Sequence, residues 1–279
     1  WKAAVNPGWK LWVSPLFMET TSTRASGNTP SRPTRYELYK SEIKMKQTAL
    51  AILAVALIGG AAWYIYRQTQ GPLASIMTEH ETAARRLAEQ TVKGAPQSRI
   101  LIVGNPFTRQ AGRNRSIYEY EKRAVRGLKA GFGSNAIVEQ DYPELKAAAS
   151  AHPENFPLPQ ETTSPLSYML EDGALQTLLK MHPACAVVVS LIGLPAQGSD
   201  RHYFLKTGSP RLSLMMPDLR VWGGPADLRR GFKSGQLLAA LVTRPGVRPE
   251  SEDKYLLITA DSLEEAIKRY PALFTPPGK

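Results

Sequence analysis

The chain has 279 residues, a formal net charge of +11, a single cysteine and 43% hydrophobic residues. That length allows one ordinary domain behind a leading segment and is too short for two full α/β lobes with linkers. The lone Cys185 excludes an intrachain disulfide. Set within Ala-Cys-Ala-Val-Val-Val, it reads as a buried structural thiol. Basic and acidic residues are interspersed through most of residues 70–279, and no nucleic-acid-binding signature accompanies the charge. Attraction to anionic lipid headgroups or to an anionic ligand explains the charge as well as nucleic acid does. No cofactor motif is present.

Residues 19–34 are rich in Ser, Thr, Pro and Gly and nearly devoid of apolar side chains. Residues 1–44 are therefore expected to be a disordered tail or upstream sequence joined to a frame that starts naturally at Met45-Lys46-Gln47. Pro7-Gly8 interrupts any helix linking Trp1, Trp9 and Trp12. Residues 47–66 then form an uncharged run flanked by Lys40, Lys44, Lys46 and Arg67. As a helix rising about 1.5 Å per residue, positions 48–66 reach roughly 28 Å, close to the hydrocarbon thickness of a bilayer. The run has no polar stripe. It ends in the interfacial cluster Trp63-Tyr64-Ile65-Tyr66, which argues for an uncleaved anchor over a signal peptide. Segment 45–68 is expected to be a single transmembrane helix contacting lipid through residues 47–66. The denser basic flank places the N-terminal side in the cytoplasm and the main domain outside, in the periplasm.

Segment 69–98 reads as a stalk or first packing helix, with Thr78 and Glu81 at capping-box spacing and Gly94 and Pro96 as its stop. From residue 99 to 279, apolar runs alternate with helical segments. Strands are expected at Arg99–Val103, Ala136–Gln140, Ala184–Ile192, Arg211–Met216, Gln236–Val242 and Tyr255–Thr259. Helices are expected from Ser116, capped with Glu119, after Pro143, over Leu170–Met181 and Ala226–Ser234, and from Ser262, capped with Glu265. In the Ser116 helix Ile117, Tyr120, Ala124 and Leu128 share one face, and Gly131 or Gly133 closes it. His152–Pro165, with four prolines, reads as a long surface loop. Strand-helix alternation predicts an α/β fold: a doubly wound, mainly parallel sheet with helices on both faces, preceded by the single transmembrane helix.

Such sheets bind ligands beyond the carboxyl ends of their strands, where strand order reverses. The rule nominates Asn105, Ser190, Gly193, Asp218 with Arg220, Thr243 with Arg244, and Asp261. The loop Gly104–Arg115 adds Arg109, Arg113 and Arg115, whose guanidiniums near a helix start suit a carboxylate or phosphate. It matches neither a phosphate-binding P-loop nor a dinucleotide fingerprint. Ser190 lacks a nucleophile elbow, and Ser199-Asp200-Arg201-His202 places triad residue types in sequence adjacency, which is poor evidence of a triad. His80, His152, His182 and His202 show no metal-ligand spacing with one another or with Cys185, so structural or exposed roles are expected and no metal is assigned.

With its outward-facing α/β domain and the strand-ending segment Ser190-Leu-Ile-Gly193-Leu-Pro195, the region of about 99–270 resembles one lobe of the type 1 periplasmic-binding-protein superfamily. The resemblance is one of architecture and transfers no residue. It implies recognition of a small molecule, although the superfamily clasps its ligand between two lobes and this chain shows one. The expected function is a membrane-anchored, extracytoplasmic, non-catalytic domain binding a small anionic ligand or an envelope protein. The alternatives are a hydrolase or transferase using Ser190, Asp218 or Asp261 in the strand-end crevice, or a structural component of envelope assembly.

Overall fold

The computed structural model describes residue 58 and residues 74–275, apart from 111, 113, 114, 135, 160, 161, 196–198, 205, 207, 249, 250 and 252. The chain divides into two units, Trp1–Ala62 and Trp63–Lys279. The expected anchor at 45–68 lies, but for Ile58, outside the described residues. Among those residues no helix is long and apolar enough to cross a membrane.

The second unit opens with helix α1 over residues 74–94. Six strands follow, β1 (Arg99–Val103), β2 (Ile137–Asp141), β3 (Val187–Ser190), β4 (Arg211–Met215), β5 (Leu237–Thr243) and β6 (Tyr255–Ile258). Between and after them lie α2 (Arg115–Phe132), α3 (Ala147–Ala151), α4 (Leu166–Met169), α5 (Ala174–Met181), α6 (Ser199–Phe204), α7 (Pro225–Lys233) and α8 (Leu263–Arg269). The strands form one sheet in the order β2-β1-β3-β4-β5-β6. The first five are mutually parallel, and β6 runs antiparallel to β5, with Ala240 opposite Ile258 and Thr243 opposite Tyr255.

The strands alternate their apolar side chains between two cores. Ile100, Ile102, Val187, Val189, Ala239 and Leu241 join Ala84, Leu87 and Ala88 of α1 and Ala124, Leu128 and Phe132 of α2. Leu101, Val103, Val188, Leu212, Leu214, Ala240 and Val242 pack on the other face against Leu175, Leu178, Leu228, Phe232, Leu263 and Phe274. Near-continuous apolar strands follow from this burial on both faces. On the first face α1 and α2 touch through small residues. A Cβ on Gly127 would lie 2.1 Å from the carbonyl oxygen of Glu81, and one on Gly131 would lie 2.4 Å from that of Arg85. Glu81 then pairs with Arg123 and Arg126, clamping the same crossing from outside.

Several local expectations are corrected. The helix expected over Leu170–Met181 is interrupted because Leu170 forms an antiparallel bridge with Leu145 and Gly173 turns at φ +77° before α5 starts. The N-terminus of α5 is capped from a distance: buried Asp200, in the unanticipated α6, accepts from the N–H groups of Leu175 (3.2 Å) and Gln176 (2.9 Å). None of the three capping boxes forms as read. Thr78 lies inside α1 and donates to Ala74 O, α2 begins before Ser116, and Ser262 makes no side-chain cap bond to α8, its hydroxyl accepting from Thr259 N–H. The loop before α4 is not purely superficial, since Ser164 is buried and bonds Ile192 O.

Candidate functional site at the sheet's switch point

From β1 the chain crosses through α2 to β2 on one side and later returns to β3 on the other, so strand order reverses between β1 and β3. A cavity of about 240 Å³ opens at the carboxyl ends of these strands and of β4. Asn105 lines it from the loop after β1, Leu191 from the end of β3, Met215 and Met216 from the end of β4, and Ile117, Tyr120, Glu121 and Ala124 from the first turns of α2. His80 of α1 and Leu166 of α4 complete the wall. The apolar stripe of α2 explains the lining. Ala124 and Leu128 are buried in the core, whereas Ile117 and Tyr120 extend past the sheet and stay partly exposed.

The polar groups here are held by one another. Glu121 accepts from the backbone N–H of Asn105, and from the Thr108 hydroxyl and Gln140 Nε2, each at 3.3 Å. Burial pushes its carboxyl above the usual range, and these donors work against that rise. Asn105 turns its side-chain oxygen back onto the N–H of Phe107, 3.0 Å away, starting the short 3-10 turn Pro106–Arg109. His80 stacks on Tyr120 with ring centroids 3.6 Å apart, and its Nδ1 lies 3.0 Å from the Tyr255 hydroxyl. Burial first, and the charge of Lys254 second, lower the His80 pKa to about 3, so the ring is neutral at ordinary pH. Burial raises Tyr255 well above the ordinary phenol range. Neither member of this close pair is poised as an acid or base near neutrality. Met216 carries a left-handed backbone (φ +53°) that costs a side-chain-bearing residue energy, and it does so in the pocket wall.

The nominated residues are scattered by the fold. Arg109 points toward β2, 3.7 Å from Asp141 and stacked 4.8 Å over the Tyr142 ring. Arg113 lies outside the described residues, and Arg115 is the exposed first residue of α2. Ser190 is fully buried and tied into its turn, donating to Gly193 O and accepting from Ile192 N–H. Gly193 turns at φ +73° with Ser164 Oγ 2.8 Å from where a Cβ would stand. Asp218 binds Arg220 through two 2.8 Å bonds and receives Thr163 N–H, fastening the loop before α4. Burial acts to raise its pKa, and Arg220 more than reverses this. Thr243 is exposed at the end of β5, and Arg244 follows it half-buried. The Arg244 Nε is buried with no hydrogen-bond partner among the described residues.

Asp261 is the clear correction. Because β6 is antiparallel, its end lies at the opposite edge of the sheet from the carboxyl ends of β1, β3 and β4. Ser190, Asp218 and Asp261 therefore do not converge. The start of β6 reaches the edge where the cavity opens instead and brings Lys254 and Tyr255 there, with Lys254 in a buried ion pair to Glu79, Nζ to Oε2 2.8 Å. His80, Tyr120, Glu121 and Tyr255 were not among the nominated residues. The only signal for them was the apolar stripe of α2 continuing to Ile117.

No family model matches the sequence, and no curated protein does. Solved structures similar to the chain include solute-binding proteins, each at low identity and low TM-score. One, an ABC-transporter solute-binding protein from Burkholderia graminis in complex with D-arabinose, is 15% identical, with 67% of this chain and 61% of that chain covered at a TM-score of 0.40. Another from Agrobacterium vitis, bound with alpha-D-tagatopyranose, is 12% identical over 68% of this chain and 60% of that chain, with a TM-score of 0.41. A glucose-galactose binding protein from Geobacillus stearothermophilus is 11% identical over 71% and 56%, with a TM-score of 0.37. The chain thus spans about three fifths of the length of these proteins.

Proposed function

We propose that the second unit is a non-catalytic binding domain for a small uncharged molecule, held at the switch-point cavity. The observation that carries this reading is the lining. Among the described residues, the cavity walls supply apolar surface from Ile117, Ala124, Leu166, Leu191, Met215 and Met216, with Asn105, Tyr120 and Glu121 as the polar handles and a neutral His80. Among the described residues no Lys or Arg lines it. A mostly apolar cleft with a few placed polar groups is the usual character of a ligand site, and about 240 Å³, below the roughly 300–1,000 Å³ of drug-sized sites, suits a small ligand. Strain at Met216 in the wall supports the same reading. Of the arginines that suggested an anionic ligand, Arg109 is engaged by Asp141 and Tyr142 instead. In the proposed setting the domain works outside the cytoplasmic membrane, anchored through residues 47–66, which rests on the uncharged run alone.

The test is a thermal-shift screen of the full chain with neutral polyols, sugars and amides beside carboxylates and phosphates. A true ligand at 100 times its dissociation constant stabilises by about 2.7 kcal/mol, and Leu191→Trp, which fills the cavity, removes the shift. If charged compounds alone stabilise the chain, or if the filled variant responds as the natural one does, the reading is wrong.

A further inference from the structure

Away from the cavity, a second constellation forms where β2 meets the turn that enters β3. Glu139 and Asp141 are two residues apart on edge strand β2 and therefore on one face of it. Against them the chain after α5 lays His182 and Cys185. The Cys185 N–H donates to His182 O (3.1 Å), closing a tight His-Pro-Ala-Cys turn that sets imidazole and thiol on one side. Ligand atoms of Glu139, His182 and Cys185 all lie within 4.8 Å of one another.

The two ring nitrogens of His182 each face a carboxylate, Nδ1 at 2.6 Å from Glu139 Oε2 and Nε2 at 3.0 Å from Asp141 Oδ2. A neutral imidazole has one N–H to give. With that N–H on Nε2, Asp141 fixes the ring, and the Nδ1 lone pair faces the Glu139 carboxylate with the Cys185 sulfur close by. An outer carboxylate orienting a histidine whose other nitrogen presents its lone pair toward a second ligand group is the arrangement that prepares imidazole to ligate a metal, an ion between Nδ1 and Glu139 replacing their direct contact. Arg99 bonds the remaining Glu139 oxygen at 2.7 Å and fixes that carboxylate too. A cleft of about 510 Å³, lined in part by His182, Cys185, Tyr203 and Arg211, leads to the group from outside.

We propose that Glu139, His182 and Cys185 bind a divalent transition-metal ion of the zinc class, with Asp141 as the positioning residue for His182 and the cleft side left for water or an exogenous ligand. One sulfur, one nitrogen and one oxygen suit a borderline-soft ion, and three protein ligands with an open fourth position form a recognised zinc arrangement. Bonds of about 2.0–2.3 Å put tetrahedral ligands roughly 3.5 Å apart, so the side chains need only small rotations.

The full chain, freed of metal with a chelator, is titrated with Co(II) as a spectroscopic probe. The expected result is saturation at one ion per chain with thiolate-to-cobalt charge-transfer absorption and four-coordinate d–d bands, all displaced by Zn(II). Cys185→Ser abolishes the charge-transfer absorption. Asp141→Asn, which leaves all three ligands in place, weakens binding by about 10–100-fold. Far-ultraviolet circular dichroism checks that both variants are folded. The proposal is overturned if the natural chain shows no saturable binding, or binds cobalt with no thiolate charge transfer, in which case the group is an imidazolium clamped between two carboxylates.

Discussion

Leucine, phenylalanine and tryptophan fill the sheet face beneath α5, α7 and α8, whereas alanine and glycine set the packing beneath α1 and α2. On the α5, α7 and α8 face the large side chains seal the core, and its buried acids, Asp200 and Asp218, fasten local backbone. On the α1 and α2 face the Gly127 and Gly131 contacts draw two helices together, and polar side chains are buried with them: His80, Thr91, Glu121, Ser213 and Lys254. Each is satisfied by another side chain or by nearby backbone. The switch-point cavity opens on this α1 and α2 face. The large-residue face supplies stability through apolar burial, while the small-residue face gives up core volume to hold a polar cluster in place.

The largest expected effect lies in that cluster. Lys254→Met leaves the Glu79 carboxylate buried opposite an apolar chain, and breaking one side of such a pair costs about 3–5 kcal/mol. Replacing both, as in Lys254→Met with Glu79→Leu, recovers most of the loss. Urea denaturation followed by far-ultraviolet circular dichroism measures both. If the double variant is as unstable as the single one, the ion pair is not what the face depends on.

On the sealed face, Leu212→Ala opens a cavity in a fully buried position and costs about 2–5 kcal/mol. The contrast with the other face is in its character. This loss is expected to be the same at pH 5 and pH 8 and to leave ligand-induced thermal shifts intact. A pH-dependent loss at Leu212 would erase the distinction between the faces.

His80 supplies the pH dependence of the small-residue face. Its folded pKa of about 3 lies below the ordinary histidine value of 6.5, so between these values the unfolded chain binds the extra proton and the folded one does not. Stability from this group is fully present above about pH 6.5 and declines as pH falls toward 3, by at most about 1.4 kcal/mol per pH unit. The groups facing the ring are Tyr120, Tyr255 and Lys254, the last paired with Glu79. His80→Gln is expected to flatten the midpoint-versus-pH curve over this window, and an unchanged slope would assign it to other groups.

The legibility of the fold follows the same division. The central strands β1, β3, β4 and β5 are legible because each is an apolar run buried by both faces, whereas edge strand β2 (IVEQD) carries polar residues and stays partly exposed, and the observed limits differ from the expected ones by a few residues. The direction of β6 is legible too. The Arg244–Lys254 connection carries no helical pattern, and a parallel return needs a helix-length crossover, so an antiparallel strand and a displaced Asp261 followed. Asn105 came from the switch-point rule, which needs no motif. His80, Tyr120 and Tyr255 come from α1, α2 and β6, and no local pattern announces that three elements so far apart in sequence meet. The capping boxes failed for the opposite reason. Ser or Thr three residues before Glu is a common spacing, and at Glu81 tertiary arginines outbid the local backbone.

The smallest effect gives the sharpest comparison between the faces. Thr91 and Ser213 are both fully buried, with Thr91 Oγ1 2.6 Å from Ser213 Oγ and donating to Leu87 O at 2.8 Å. Thr91→Val deletes one hydroxyl and leaves the other in an apolar helix-sheet contact, for an expected loss of about 1–2 kcal/mol. Ser213→Ala leaves Thr91 its bond to Leu87 O and costs less. The double variant removes both polar groups and is expected to lie near the natural chain, because an unmet hydroxyl is expensive while two apolar replacements of similar shape are not. Additive losses in this cycle, measured by urea denaturation, would mean that the two hydroxyls act independently and that polar groups on this face are not satisfied in pairs.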